Sequence, residues 1–233
     1  ILKGILKNTM KKVIRKIFVI GINSFEFDDL PKISKSLLLE KNNIAAPKTY
    51  ILEIKNWFKN NGIDNKNFFS SNSNNELIKW IEKDNSDKIL ISRGDPLWFG
   101  IGRILLEQFS KEELYFYPST TCLQLAFSKL KKPWQDVNFL SIHGRDNEKL
   151  IKQLKSNKSH LAIIPDSKNN GLEVIRKNII EMQLDSLYEF WVCEELGFKN
   201  ERIREININE NLPNDISDLS LVVLIRKEFI PKN

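Results

Sequence analysis

Residues 88–108 read KILISRGDPLWFGIGRILLEQ, and this stretch decides the fold that the sequence predicts. The apolar run 89–91 predicts a short buried strand, which ends in the sharp glycine-aspartate-proline turn 94–96. After this turn, apolar residues three or four apart predict an amphipathic helix that begins at the proline; they are Trp98, Ile101, Leu105 and Phe109. Open α/β sheets bind ligands just outside the carboxyl ends of their strands, so the turn is either a ligand loop or an ordinary tight turn.

Alternation of strands and helices runs along the rest of the 233-residue chain. The clearest predicted strands are 17–22, 88–92, 114–117, 137–142, 161–164, 189–193, 202–208 and 219–225. The clearest predicted helices are 32–41, 49–60, the segment after Asn75, the segment after Pro96, and those that carry Leu123, Leu150 and Ile175. Only strands follow the last helix. The pattern predicts an α/β protein of two α/β domains, 17–117 and 118–233, the second with a mixed sheet.

The charge of the chain, +6, is concentrated at its start. Residues 1–16 carry six basic residues and no acid, which leaves 30 basic and 30 acidic residues in the remainder. A nucleic-acid-binding protein places its basic residues on a folded face. The sequence therefore predicts a solvated basic extension over residues 1–16 and no nucleic-acid partner.

Several other classes of protein are excluded by what the sequence lacks. Cys122 and Cys193 form no CxxC motif and His143 and His160 form no HExxH motif, so we expect free thiols and no metal site. A nucleophile-elbow GxSxG motif is absent, which argues against a serine hydrolase. No apolar run approaches the roughly 20 residues that span a bilayer, and no secretory signal pattern opens the chain. These observations predict a cytoplasmic protein without a membrane partner.

Two further polar clusters allow two interpretations each. Ser119-Thr120-Thr121 precedes a predicted helix, where the hydroxyl groups either cap that helix or face a ligand. The tripeptide 143–145, His-Gly-Arg, follows a predicted strand, where the basic side chains either form a salt-bridged turn or bind an anionic substrate.

Taken together, these segments resemble the tetrapyrrole (corrin and porphyrin) methylases, and within them the precorrin-6Y methyltransferases of cobalamin synthesis. The two most specific segments are RGDPLWFGIGRILLEQ (93–108) and PSTTCLQLAFSKLKKPWQD (118–136). Supporting segments are LSIHGRD (140–146), VCEELGFKNERIRE (192–205) and LSLVVL (219–224). The resemblance runs in the same order from about residue 17 to residue 226.

The resemblance implies two α/β domains with S-adenosylmethionine in the cleft between them. It implies a cofactor site that contains Gly94, Asp95, Pro96, Phe99, Thr120 and Thr121. It also implies that an anionic tetrapyrrole is bound by Gly21, Arg103, His143 and Arg145. Methyl transfer to an electron-rich ring carbon needs alignment more than a strong base, so no catalytic residue is predicted.

The implied reaction is methylation of carbon 5 of precorrin-6Y or of cobalt-precorrin-7, by a homodimer. Methylation and decarboxylation at carbon 15 are assigned to a separate chain, because the sequence ends at Asn233. The family's glycine-rich loop after the first strand is here Gly21-Ile22-Asn23-Ser24-Phe25 and keeps only its first glycine. Three alternatives therefore stay open, namely a methylase of another substrate, a catalytically silent tetrapyrrole-binding homologue and a nucleic-acid-binding module.

Overall fold

The computed structural model describes residues 14–142, 147–156 and 159–227, and these residues form two compact units. Unit 1 contains the described residues up to Ile22 together with Glu26–Pro118. Unit 2 contains Asn23–Phe25 and the described residues from Ser119 onward. Asn23–Phe25 thus belong to unit 2, although the sequence placed them in the first predicted domain.

Unit 1 is built on a parallel sheet of five strands in the order β3-β2-β4-β1-β5. The strands are β1 (Ile17–Ile22), β2 (Asn43–Ala46), β3 (Asn67–Ser70), β4 (Lys88–Arg93) and β5 (Leu114–Tyr117). The helices are α1 (Lys32–Glu40), α2 (Ile51–Asn60), α3 (Asn74–Glu82) and α4 (Gly102–Gln108), and Phe27–Asp29 form a short 3-10 helix. Every residue of β1 is buried, as expected for a strand covered on both faces.

The start of α4 differs from the prediction. The helix begins at Gly102 and not at Pro96, because residues 95–101 form successive turns. Leu105 and Phe109 are buried in the core of unit 1, as their spacing predicted. Gly100 therefore lies in the loop and Gly102 opens the helix, whereas the sequence placed both inside it.

Unit 2 is built on a mixed sheet of five strands in the order β6-β7-β10-β8-β9, which confirms the predicted fold class. Its elements are α5 (Cys122–Leu130), β6 (Asn138–Ser141), α6 (Glu148–Ser156), β7 (Leu161–Ile164), α7 (Gly171–Glu181), β8 (Tyr188–Glu194), β9 (Arg202–Glu205) and β10 (Ser220–Arg226). Only β6 and β7 run parallel, and the other neighbours are antiparallel. Val222 and Leu224 of the central strand β10 lie in the main core of the unit.

The prediction of a solvated basic extension is wrong for Arg15. Its guanidinium pairs with the Glu113 carboxylate at 2.8 Å and donates to the Ile81 carbonyl at 2.9 Å. The same group lies 5.2 Å from the centre of the Phe109 ring. Arg15 is therefore anchored to unit 1, and residues 1–13 of the predicted extension lie outside the described residues.

Among the described residues, no helix is both long and apolar enough to cross a bilayer. Within the same ranges, no cluster of three or more His, Cys, Asp or Glu side chains is arranged to hold a metal ion. Cys122 and Cys193 are free thiols, and burial is the main reason that the pKa of Cys193 is raised to about 12.

Candidate functional site

The carboxyl ends of β1 and β4 lie side by side in unit 1. Gly21 pairs with Ser92, and Ile22 pairs with Arg93. Just beyond the strands, the Gly94 N–H donates to the Ile22 carbonyl at 2.8 Å. The sheet thus brings together Gly21, predicted to bind substrate, and the start of the predicted cofactor loop.

Asp95 shapes the loop in which it lies. Its Oδ1 atom accepts a hydrogen bond from the Leu97 N–H at 2.8 Å, and its carbonyl accepts one from the Trp98 N–H at 3.1 Å. Gly94, directly before it, has a positive φ of 59°. The carboxylate therefore stabilises a tight turn at the carboxyl end of β4. The turn presents backbone groups as well as a negative charge at the carboxyl ends of the strands.

Two glycines close the loop by packing against Pro96. The Gly102 N–H donates to the Pro96 carbonyl oxygen at 2.8 Å. A Cβ atom on Gly102 would lie 2.7 Å from this oxygen, and one on Gly100 would lie 2.6 Å from it. Phe99, between them in the chain, has a φ of 52° and is 47% exposed. The loop thus stores local strain while it displays a large aromatic side chain, a combination that is common at ligand sites.

Ser92 is a residue of this edge that the sequence analysis missed. Its Oγ atom is buried and finds no hydrogen-bond partner among the described residues, and the same holds for Ser70 Oγ at the end of β3. Buried hydroxyl groups without partners are rare in native proteins and need an explanation. A polar ligand group at the carboxyl edge would satisfy Ser92. The sequence marks it only as the last residue of a predicted strand, so its buried hydroxyl group and its register with Gly21 are what identify it.

Thr120 and Thr121 lie at the start of α5 in unit 2. The Thr121 hydroxyl accepts from the Gln124 N–H at 3.3 Å, and the Gln124 side chain accepts from the Thr121 N–H at 2.9 Å. This reciprocal pair is a capping box. The capping interpretation therefore holds for Thr121, whereas Thr120 is exposed. A role of either residue in cofactor binding stays a prediction.

Of the three basic residues predicted to bind the substrate, the structure describes only Arg103. Arg103 is largely exposed on the first turn of α4, where it pairs with Glu107 at 3.0 Å. A surface pair of this kind is weak, so the guanidinium remains available to a carboxylate ligand. His143 and Arg145 lie outside the described residues.

Unit 2 contains a cavity of about 460 Å³ that the sequence analysis did not identify. It is lined by the start of α7 and by the loop between β9 and β10, and its lining residues are Ser167, Asn170, Gly171, Leu172, Glu173, Asn211, Leu212, Pro213, Asn214, Ile216, Ser217 and Asp218. Buried Glu194 holds this loop, since its Oε1 atom accepts from the Ser217 N–H at 2.9 Å and pairs with Arg202 at 2.7 Å. None of the predicted site residues that the structure describes lines the cavity.

The parallel sheet and its glycine-aspartate-proline loop define an α/β protein with a candidate ligand site at the carboxyl ends of the strands. The profile of the tetrapyrrole (corrin/porphyrin) methylases matches residues 32–211, more than half of the chain. The chain therefore belongs to the tetrapyrrole methylase family, whose members are S-adenosylmethionine-dependent methyltransferases.

Relatives and solved structures agree with this assignment. A probable cobalt-precorrin-7 C(5)-methyltransferase of Methanocaldococcus jannaschii is 27% identical over 186 residues, which cover 79% of this chain and 77% of the relative. A cobalt-precorrin-7 C(5)-methyltransferase of Salmonella typhimurium is 27% identical over 57% of this chain and 64% of its own length. The crystal structure of the precorrin-6Y methylase of Archaeoglobus fulgidus has the same fold, with a TM-score of 0.62, 21% identity and coverage of 92% of this chain and 99% of that chain.

Proposed function

We propose that this protein methylates carbon 5 of precorrin-6Y, or of cobalt-precorrin-7, in cobalamin biosynthesis. The observation that carries the proposal is the strained glycine-aspartate-proline loop at the carboxyl end of β4, bonded to the end of β1. The names of the two relatives described above support carbon 5 as the methylated position.

The residues of the carboxyl edge fit a cofactor that carries both a charged amine and hydroxyl groups. Asp95 supplies an acceptor for an ammonium or ribose hydroxyl group, and Ser92 Oγ is a buried hydroxyl that needs a partner. When bound, S-adenosylmethionine supplies an electrophilic methyl group. The loop of Gly94, Asp95 and Pro96 would hold the donor, with Phe99 against its apolar parts. Thr120 and Thr121 are proposed to complete the cofactor site.

The reaction requires the protein to position the donor and the acceptor more than to supply a strong base. The donor methyl group and the acceptor carbon must be held in line, about 3 Å apart, because proximity and orientation supply much of the rate. Arg103, His143 and Arg145 are proposed to orient the substrate by binding its carboxylates, for which guanidinium groups are well suited. Gly21, at the end of β1, is proposed to leave space for the macrocycle. This arrangement needs no strong general base.

Replacement of Asp95 by alanine is expected to weaken the binding of S-adenosylhomocysteine about ten- to a hundredfold, because a hydrogen bond to a charged group contributes about 1.5–3 kcal/mol. Titration calorimetry of the full chain would measure this change. Asp95→Asn keeps an acceptor for the Leu97 N–H but loses the charge, so we expect a smaller loss of affinity. Asp64→Ala removes an exposed carboxylate elsewhere in unit 1 and serves as the control. Unchanged affinity in Asp95→Ala would contradict the assigned role.

A further inference from the structure

A turn late in unit 2 is packed directly against the segment that follows β1. Gly197 has a positive φ of 81°, and a Cβ atom on it would lie 2.0 Å from the carbonyl oxygen of Asn23. The same atom would lie 3.2 Å from Leu125 Cδ1. Only glycine accommodates both this backbone conformation and this close approach. The Asn23 backbone is therefore held against residue 197, although 173 residues separate them in the sequence.

Aromatic packing adds a second contact between the same two segments. The rings of Phe25 and Phe198 meet edge to face, with their centres 4.9 Å apart. Such pairs contribute binding beyond the area that they bury. The segment Asn23–Phe25, which we call the anchored segment, is thus fixed at its first residue by backbone packing and at its last residue by a ring.

The turn that contains Gly197, which contacts the anchored segment, is itself held by side-chain contacts. The Gly197 N–H donates to Glu201 Oε2 at 2.8 Å, and Glu201 Oε1 pairs with Lys129 Nζ of α5 at 2.7 Å. Burial is the largest single influence on the pKa of the Glu201 carboxyl group and raises it. The hydrogen bonds from Lys129 and from the Gly197 N–H, together with the charge of Lys129, outweigh burial, so the pKa is lowered. The turn is therefore tied to α5 as well as to the end of β8, and it offers a fixed support.

The anchored segment begins immediately after Ile22, whose carbonyl accepts the Gly94 N–H. It also occupies the position where the sequence departs from the family's glycine-rich loop, with Phe25 among the replacements. We propose that Gly197 and Phe198 are positioning residues that hold Asn23–Phe25 in the conformation that receives the tetrapyrrole. This proposal rests on the proposed function, because the loop after Gly21 is taken to face the substrate.

The test compares Phe198→Ala with the wild-type full chain in a methylation assay that uses whichever of precorrin-6Y and cobalt-precorrin-7 the wild type methylates. We expect the KM for this substrate to rise about three- to tenfold, in line with the loss of one aromatic pair, while kcat and the affinity for S-adenosylhomocysteine change less than about twofold. Phe198→Tyr retains the ring and should restore KM. Phe139→Ala removes an exposed ring from β6 of the same unit and should leave KM unchanged.

Gly197→Ala should raise KM further if it folds, because the added Cβ overlaps the Asn23 carbonyl. A normal KM in Phe198→Ala, or an equal effect of Phe139→Ala, would overturn the positioning role. Hydrogen exchange of the amides of residues 24–26, measured without substrate, tests the anchor separately from catalysis. We expect faster exchange in Phe198→Ala, and unchanged exchange would refute the anchor. A wild-type protein that shows no methylation would instead refute the proposed function and with it the role toward the substrate.

Discussion

Replacement of Glu194 by alanine is expected to lower the free energy of unfolding by about 2–3 kcal/mol, less than the usual cost of breaking a buried ion pair, because Arg202 and Arg204 are partly exposed and still pair with Asp215. The Glu194 side chain is fully buried, and its oxygens pair with Arg202 at 2.7 Å and with Arg204 Nε at 3.0 Å. It also accepts from the Ser217 N–H. The substitution would leave two guanidinium groups and one amide without their buried acceptor.

Urea denaturation of the full chain, followed by circular dichroism, would measure this loss. Glu205→Ala is the matched control, because Glu205 is exposed on the neighbouring strand β9, and we expect a change within about 0.5 kcal/mol. Asp215 bridges both arginines from the loop and would keep part of the network in place. A loss below about 1 kcal/mol in Glu194→Ala would show that this network does not hold the loop between β9 and β10.

Replacement of Gly102 by alanine is expected to weaken S-adenosylhomocysteine binding about ten- to a hundredfold, because displacement of the loop would cost the hydrogen bond from the ligand to the charged Asp95, which contributes about 1.5–3 kcal/mol. The new Cβ would lie 2.7 Å from the Pro96 carbonyl oxygen and 2.7 Å from Leu97 Cδ2. Alanine raises helix propensity, so the helix itself would not suffer. The strain would fall on Pro96 and, through the turn, on Asp95.

Calorimetry of the Gly102→Ala protein, together with its thermal unfolding curve, would test this expectation. The control is Gln108→Ala, which changes an exposed residue at the other end of α4 and should leave the affinity unchanged. Wild-type affinity in a folded Gly102→Ala protein would show that the packing against Pro96 is not required for the cofactor loop.

The parts of the fold that the sequence predicted are those with a strong periodic signal. All of β1 and residues 89–91 of β4 are apolar and buried, and the α5 stripe places Leu123, Ala126 and Phe127 in the interior. By contrast, β2 and β3 escaped prediction. They have four residues each. Asn and Ala in β2 have little preference for strands, and β3, which contains Phe68 and Phe69, is too short to give a periodic signal, so the extended structure of both depends on pairing with β4 and with each other.

In the candidate site, too, features that depend on local sequence could be predicted, whereas features that depend on tertiary contacts could not. The glycine-aspartate-proline turn was visible in the sequence because the turn residues themselves determine the backbone. The contacts that define its surroundings join distant segments, such as Gly94 with Ile22 and Gly197 with Asn23. The delayed start of α4 has a similar cause, since the packing of Gly100 and Gly102 against Pro96 outweighs the apolar spacing that favoured an earlier start.

Methylation of carbon 5 of a corrin precursor is tested most directly by mass spectrometry after incubation of the protein with S-adenosylmethionine and precorrin-6Y, and in parallel with cobalt-precorrin-7. A methyl-labelled donor allows the new methyl group to be located by NMR. We predict that one methyl group is added to one of the two substrates, at carbon 5, and that S-adenosylhomocysteine is released in equal amount. Binding of S-adenosylhomocysteine without methylation of either substrate, or methylation at another carbon, would contradict the proposed function.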